Sequence, residues 1–232
     1  MKKLILAGSA SLLMVAGTAQ ANWGVNVGPI YVAPNDSSSS LGVIEQVADL
    51  TPGSTALTVN DDVQLGLTLD YKFTPNWAVQ LIAATPFSHQ IRVQGSAIDG
   101  LAVGNTKHLP PTLLGQYHFT QFGDRWQPFI GLGLNYTTFF DESIDPALSD
   151  ALNSLGVTGA DDSVSLSLSD SWGLAMQAGV NVQLTPQFGI HAMISRMDIS
   201  TTGRVRVNGD TVQSVNVDID PVVTMVGVRW QF

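Results

Sequence analysis

Val222-Val223-Thr224-Met225-Val226-Gly227-Val228-Arg229-Trp230-Gln231-Phe232 is the stretch that decides the fold. Successive side chains of a strand point to opposite faces. Val222, Thr224, Val226, Val228, Trp230 and Phe232 therefore share one side, and Val223, Met225, Gly227, Arg229 and Gln231 share the other. The first side is apolar and ends in two aromatics; the second carries the charge and the amide. Hydrocarbon cannot hydrate a polar group, so a strand with lipid on one side and a lumen on the other needs this contrast. A Phe closing such a strand is typical of bacterial outer-membrane β-barrels, and Phe232 marks the strand for the barrel assembly machinery. An edge strand of a soluble sandwich would show the same alternation, so the rest of the chain has to choose.

The opposite end argues for export. Met1-Lys2-Lys3 is a short basic start, residues 4–17 form an uncharged, largely apolar run, and Ala19-Gln20-Ala21 fits an A-x-A cleavage site. Residues 1–21 read as a signal peptide, with 22–232 as the exported domain. The chain has no cysteine, so an oxidising compartment is harmless to it. Beyond residue 21 no apolar run approaches the length of a spanning helix. The chain is nevertheless 44% hydrophobic and only 12% charged, which would leave a soluble domain with a sticky surface. A barrel gives that surface to lipid. The net charge of −9, more negative still without Lys2 and Lys3, argues against nucleic-acid binding.

Eight alternating segments are legible, at 23–33, 62–73, 77–87, 108–119, 126–139, 171–184, 188–197 and 216–232. All reach the length a tilted strand needs to span a bilayer. In the second, Val63, Leu65, Leu67, Leu69, Tyr71 and Phe73 oppose Asp62, Gln64, Gly66, Thr68, Asp70 and Lys72. The connections around residues 74–76, 120–125 and 185–187 are short; those at 34–61, 88–107, 140–170 and 198–215 are long. Three short periplasmic turns and four long extracellular loops are the outer-membrane arrangement. Aromatics gather on the turn side, among them Trp23, Trp77, Trp126 and Trp230, and on the loop side as Tyr31, Phe87, Tyr136, Phe139, Phe140 and Trp172. Two such belts are expected at the two headgroup levels. The fold class is an all-β, eight-stranded antiparallel transmembrane barrel in the outer membrane, in contact with its lipids and lipopolysaccharide.

Several blocks resemble the OmpW family of outer-membrane proteins: Ala83-Ala84-Thr85-Pro86-Phe87, Leu109-Pro110-Pro111-Thr112-Leu113-Leu114, Asn135-Tyr136-Thr137-Thr138-Phe139-Phe140-Asp141, Asp170-Ser171-Trp172-Gly173, Met197-Asp198-Ile199 and Val217-Asp218-Ile219-Asp220-Pro221. They occur in the family's order over nearly the whole chain. The resemblance implies a small barrel concerned with uptake of small, mainly hydrophobic molecules. One departure is Ser195, which stands where the family often has an inward aromatic.

Ranking the inward residues by height predicts what fills the lumen. Low in the barrel, Asn26, Asp70, Gln80, Gln116, Asn181, His191 and Arg229 form a polar plug in which Asp70 and Arg229 stand at equal height. Higher, Ile30, Ile82, Leu114, Met193 and Met225 make the lumen apolar. Glycines there (Gly28, Gly66, Gly131, Gly133, Gly179) point to a cup open to the exterior, although glycine also serves tight curvature. Proline cannot donate a ladder hydrogen bond, so Pro29, Pro34 and Pro221 mark a lateral opening at the seam of first and last strands. Small hydrophobic solutes are the expected cargo. A narrow ion channel and a structural or adhesive barrel without transport are the rival readings. No G-x-S-x-G or H-E-x-x-H motif accompanies His89, His108, His118 and His191, so an enzyme is not expected. The acidic cluster Asp141, Glu142, Asp145, Asp150, Asp161 and Asp162 lacks the spacing of a calcium loop and reads as solvated. No cofactor or metal is expected.

Overall fold

The computed structural model describes residues 22–159 and 161–232; the expected signal peptide at 1–21 lies outside them. The strands are β1 (Trp23–Ala33), β2 (Ser37–Ser38), β3 (Ala56–Val59), β4 (Asp62–Lys72), β5 (Trp77–Ala84), β6 (Phe87–Gln94), β7 (Ala102–Leu109), β8 (Thr112–His118), β9 (Trp126–Ile144), β10 (Val164–Leu168), β11 (Ser171–Gln183), β12 (Phe188–Met197), β13 (Ser200–Val207), β14 (Asp210–Asp218) and β15 (Val222–Gln231). Two short helices, α1 (Gly42–Val47) and α2 (Pro146–Ser154), complete the set. No helix among the described residues is long and apolar enough to cross a membrane.

The membrane is crossed by strands instead. β1, β4, β5, β8, β9, β11, β12 and β15 pair antiparallel in sequence order, and β15 returns to β1 to close the ring. Trp23 and Phe232 exchange both backbone hydrogen bonds at 3.1 and 3.2 Å, fastening the base of the seam. Closure leaves the barrel without a free edge strand, as lipid requires. The alternation read from the sequence sets which face is which. Leu65, Leu67, Leu113, Leu132, Leu134, Leu174 and Val228 are exposed on the outer wall, while Asn26, Asp70, Gln80, Gln116 and Arg229 on the same strands are buried in the lumen. The periplasmic belt forms as expected: Trp23 packs on Tyr71 and Trp77 on Tyr117, with ring centroids 4.7 and 5.1 Å apart. Its outer counterpart is thinner than predicted. Tyr136 and Trp172 pair on the surface at 4.7 Å, but Phe87 and Phe139 turn inward and are buried.

That inversion has a structural cause. The long connections expected to be loops are folded into a head above the barrel. β5 stops at Ala84, and after Thr85-Pro86 the chain resumes as β6. β3, β6, β7 and the upper half of β9 form one antiparallel sheet; β10, β13, β14 and β2 form a second. Phe87, Ile91 and Val93 point into the space between them, as do Val215 and Val217. α1 and α2 cap this core through Leu41, Ile44, Leu148 and Leu152. Asp145 starts α2 by accepting from the Ala147 N–H at 3.0 Å, with Pro146 in the first turn, where a missing N–H costs nothing.

Candidate functional site

The lower lumen holds one hydrogen-bonded network. Arg229 pairs with Asp70 and donates from Nη1 to Asn26 Oδ1 at 2.9 Å. Gln80 Nε2 donates to Asp70 Oδ1 at 2.7 Å, and Asn26 Nδ2 donates to the Thr68 hydroxyl at 2.5 Å. From Gln80 the network crosses the lumen: Gln177 Nε2 donates to Gln80 Oε1 at 2.9 Å, and Gln116 Nε2 donates to Gln177 Oε1 at 2.8 Å. The last bond passes over Gly131, where a β-carbon would meet Gln177 Oε1 at 3.2 Å and Gln116 Cγ at 3.4 Å. His118 Nε2 lies 3.1 Å from Gln116 Oε1. Asn181 Oδ1 and His191 Nδ1 make a second pair at 2.7 Å, joined to the rest through Phe129, which lies between the His118 and His191 rings. Asn26, Asp70, Gln80 and Arg229 are thus linked directly, Gln116 joins them through Gln177, and Asn181 and His191 stand beside them. Thr68, Gln177 and His118 are members that height ranking missed. Gln177 is counted with the upper layer along its own strand, yet its long amide reaches down and across.

Ile30, Ile82, Leu114, Met193 and Met225 all face inward and are buried in the hydrophobic cluster above the network. They fill the barrel; they do not line an open cup. The glycines of this layer serve close approach. A β-carbon on Gly66 would meet Ile30 Cβ at 2.8 Å, one on Gly179 would meet the Phe129 ring, and one on Gly133 would strike the backbone of β8. An apolar cavity lies a level higher, in the head. There a cavity of about 50 Å³ is walled mainly by aliphatic side chains, including Leu57, Ile91, Val103, Leu166, Val217 and Ile219. His89, His108 and Phe139 close one flank. A smaller apolar cleft between α1 and α2 shares Ile44, Leu148, Val205 and Gln213 with it, and Val43, Val47 and Leu155 are exposed at its mouth.

Strand pairing shows where the wall is thin. Between β1 and β15 the ladder runs from Gly24↔Gln231 to Val27↔Val228 and again from Ile30↔Met225 to Ala33↔Val222. It lapses only at Gly28 and Pro29. Pro34 and Pro221 lie beyond the last pair of this seam, and Asn35 N–H continues the bonding by donating to Ile219 O at 2.9 Å. A wider lapse sits elsewhere. β5 and β8 pair up to Ile82↔Thr112, and pairing resumes only at Phe87↔His108. Residues 83–86 and 109–111 face each other without a ladder pair, and three of the seven are proline.

In the head, Glu45 is buried and accepts from the Gly53 N–H, the Thr55 N–H and the Thr55 hydroxyl at 2.8, 2.9 and 2.6 Å, pinning the loop after α1. Several acidic residues of the third loop are spent locally. Asp141 pairs with Lys107 at 3.1 Å, and Asp162 accepts from the Gly159 N–H and from Asn208, both at 2.7 Å. No group of three or more His, Cys, Asp or Glu assembles into a metal site among the described residues. Ser195, the departure from the family pattern, is buried and donates to Met176 O at 2.9 Å.

A closed eight-stranded barrel with a lipid-facing aliphatic wall, a lumen filled by packed and hydrogen-bonded side chains and a folded extracellular head is a small outer-membrane β-barrel. The family model "OmpW family" matches residues 20–232, and the chain belongs to that family. It is 39% identical over 209 residues to outer membrane protein W of Vibrio cholerae, covering 90% of this chain and 87% of that relative. It is 33% identical to outer membrane protein W of Escherichia coli K12 over the full length of both. Its fold matches the crystal structure of OprG from Pseudomonas aeruginosa with a TM-score of 0.75 at 36% identity, covering 90% of this chain and 95% of that one.

Proposed function

We propose that this barrel carries small apolar solutes from the exterior into the outer membrane, and releases them sideways through its wall. One observation carries the reading: an apolar cavity stands above a lumen closed first by packed side chains and then by a cross-linked polar network. A solute that enters between α1 and α2 gains about 25 cal/mol for each Å² it removes from water. Moving further down would break buried hydrogen bonds that an apolar molecule cannot replace. The favoured way out is lateral. We place it at residues 83–86 and 109–111, the wider of the two lapses in strand pairing. There the strands share no ladder bonds, and Pro86, Pro110 and Pro111 have no N–H with which to form them. The seam between β1 and β15 is a poorer exit, because its ladder holds on both sides of Pro29.

Uptake into liposomes carrying the refolded barrel tests the proposal, measured over a graded series of apolar and polar solutes against empty liposomes. Faster entry that rises with solute hydrophobicity is the expected result. Entry of polar solutes and ions instead would mean a continuous aqueous pore, and no difference from empty liposomes would leave a structural or adhesive barrel.

A further inference from the structure

One column of outward side chains runs from the barrel wall into the head without losing phase. On β12, Ile190, Ala192 and Ile194 face lipid. Arg196 is the next outward residue, and its guanidinium lies 3.7 Å from Asp220 with 58% of the side chain exposed. The hydrocarbon therefore ends near Arg196. β13 carries the alternation on. Thr201, Gly203 and Val205 line the head cavity, so Thr202, Arg204 and Arg206 face outward. At about 3.3 Å per residue, Arg204 stands no more than about 26 Å along the chain from Arg196. It lies beyond the lipid surface, at the level of whatever the outer leaflet projects into water.

The two arginines stand among hydroxyls. Arg204 is paired across the ladder with Ser167 of β10 and Ser214 of β14, and Arg206 with Ser165 and Thr211. Below them Thr202 donates to Asn216 Oδ1 at 3.0 Å. Neither guanidinium has an ion pair or a hydrogen bond among the described residues, and its nitrogens are not shut off from water. No carboxylate occupies a ladder position beside either arginine. Acids stand only at the ends of the face. Asp198 and Asp218 lie at its foot, and Asp162 and Asp210 at the hairpin tip, where Asp162 is already held by Asn208 and the Gly159 N–H. In a chain with 19 acidic and 10 basic residues, this is a face with two unpaired cations.

We propose that this face binds lipopolysaccharide, with Arg204 and Arg206 holding anionic groups of the saccharide next to the lipid. The proposal is independent of the solute path. The barrel stands in the outer leaflet, and the column begins among lipid-facing aliphatics. A lipid with its chains against Ile190 and Ile194 sends its saccharide up along this face. A guanidinium matches a phosphate or carboxylate with two parallel N–H bonds, which a point charge does not. The flanking serines, threonines and Asn216 offer donors and acceptors to sugar hydroxyls. Asp198 and Asp218 at the foot repel anions at the leaflet surface, so the charged contact falls higher, on Arg204 and Arg206. Elsewhere an acidic protein repels an acidic saccharide; here the signs are opposite.

The test measures binding of two probes to the full barrel held in amphipol: lipopolysaccharide with its anionic core sugars, and lipid A alone. The wild type should bind the first about tenfold more tightly than Arg204→Gln combined with Arg206→Gln does. Lipid A should bind both proteins alike. Raising the salt to about 0.5 M should erase the difference, since exposed charges are screened. Arg204→Lys with Arg206→Lys keeps the charge without the paired N–H groups and should recover only part of the affinity. Arg92 lies on the other head sheet, where Gln90 Oε1 and Gly100 O already accept from it, so Arg92→Gln should change nothing. Equal binding of lipopolysaccharide by the wild type and the double Gln variant would overturn the proposal. So would equal binding of the two probes by the wild type, or an equal loss on Arg92→Gln. If the double variant does not fold, ¹⁵N-arginine spectra of the wild type decide: the Arg204 and Arg206 side-chain signals should move on adding lipopolysaccharide while that of Arg92 stays, and stationary signals would refute the assignment.

Discussion

Replacing Asp70 by Asn removes one charge from the centre of the polar network and little else. The side chain keeps its size and one oxygen, so Gln80 and Asn26 retain an acceptor. Arg229 loses its counter-ion and meets an amide N–H in place of a carboxylate oxygen. Its guanidinium is 1% exposed, so water cannot take over. Breaking a buried pair by removing one partner costs about 3–5 kcal/mol, and the upper half of that range is expected here. Arg229→Met alone should cost a similar amount, because Asp70 is then the stranded charge. Asp70→Asn combined with Arg229→Met removes both charges together, and should cost less than the sum of the single changes by at least about 2 kcal/mol. Urea unfolding in lipid vesicles, followed by the fluorescence of the five tryptophans, measures all three. An Asp70→Asn barrel within about 1 kcal/mol of the wild type, with additive double-mutant behaviour, would refute the view that this pair holds the lumen closed.

Other consequences are as direct. Gln80→Ala with Gln177→Ala severs the bonds that cross the lumen, so single-channel recordings should show ion conductance well above that of the wild type; an unchanged trace would mean that the packed layer above seals the barrel alone. Ala84→Phe places a ring beside the unpaired stretch of wall; it should slow uptake of apolar solutes several-fold while leaving their binding in the head intact, and unchanged uptake would move the exit elsewhere. The head should loosen in acid. His108 has its pKa lowered by burial from 6.5 to about 3, so the unfolded head binds the proton first. The neutral ring's contribution is complete above about pH 6.5 and declines as pH falls toward 3, by about 2 kcal/mol at pH 5. Hydrogen exchange across β7, corrected for the intrinsic rate, should therefore accelerate between pH 7 and pH 5, and His108→Phe should flatten that dependence.

The membrane-crossing part was legible because lipid and lumen impose opposite demands on alternate residues. β1 and β12 carry the bounds read from the sequence, and the inward polar residues of β1, β4, β5 and β15 meet as their equal heights predict. The head was missed, although it left signs. Asn208-Gly209 has positive φ at both residues and joins β13 to β14, a strong hairpin signal when flanked by alternating valines. Phe87, His89, Ile91 and Val93 alternate with Ser88, Gln90, Arg92 and Gln94, but inward histidines blur an apolar face. Asp145-Pro146 announced a helix start. Read as loops, these stretches leave only the barrel to hold a cavity, and there large side chains meet. The wider lapse in pairing was harder to read. Proline shows where a ladder bond is absent, but only the register shows that the stretch holding Pro86 lies opposite the one holding Pro110 and Pro111, whereas the seam is paired above and below Pro29.

The proposed path enters the head, stops above the polar network and leaves through the wall. Photolabelling the barrel in lipid vesicles with a short diazirine-bearing alkanol, with labelled residues mapped by mass spectrometry, tests it most directly. Adducts are expected at Leu57, Ile91 and Val217 in the cavity and at residues 83–86 and 109–111 in the wall, with none at Gln80, Gln116 or Asn181. Adducts within the polar network, or labelling confined to the lipid-facing aliphatics, would contradict it.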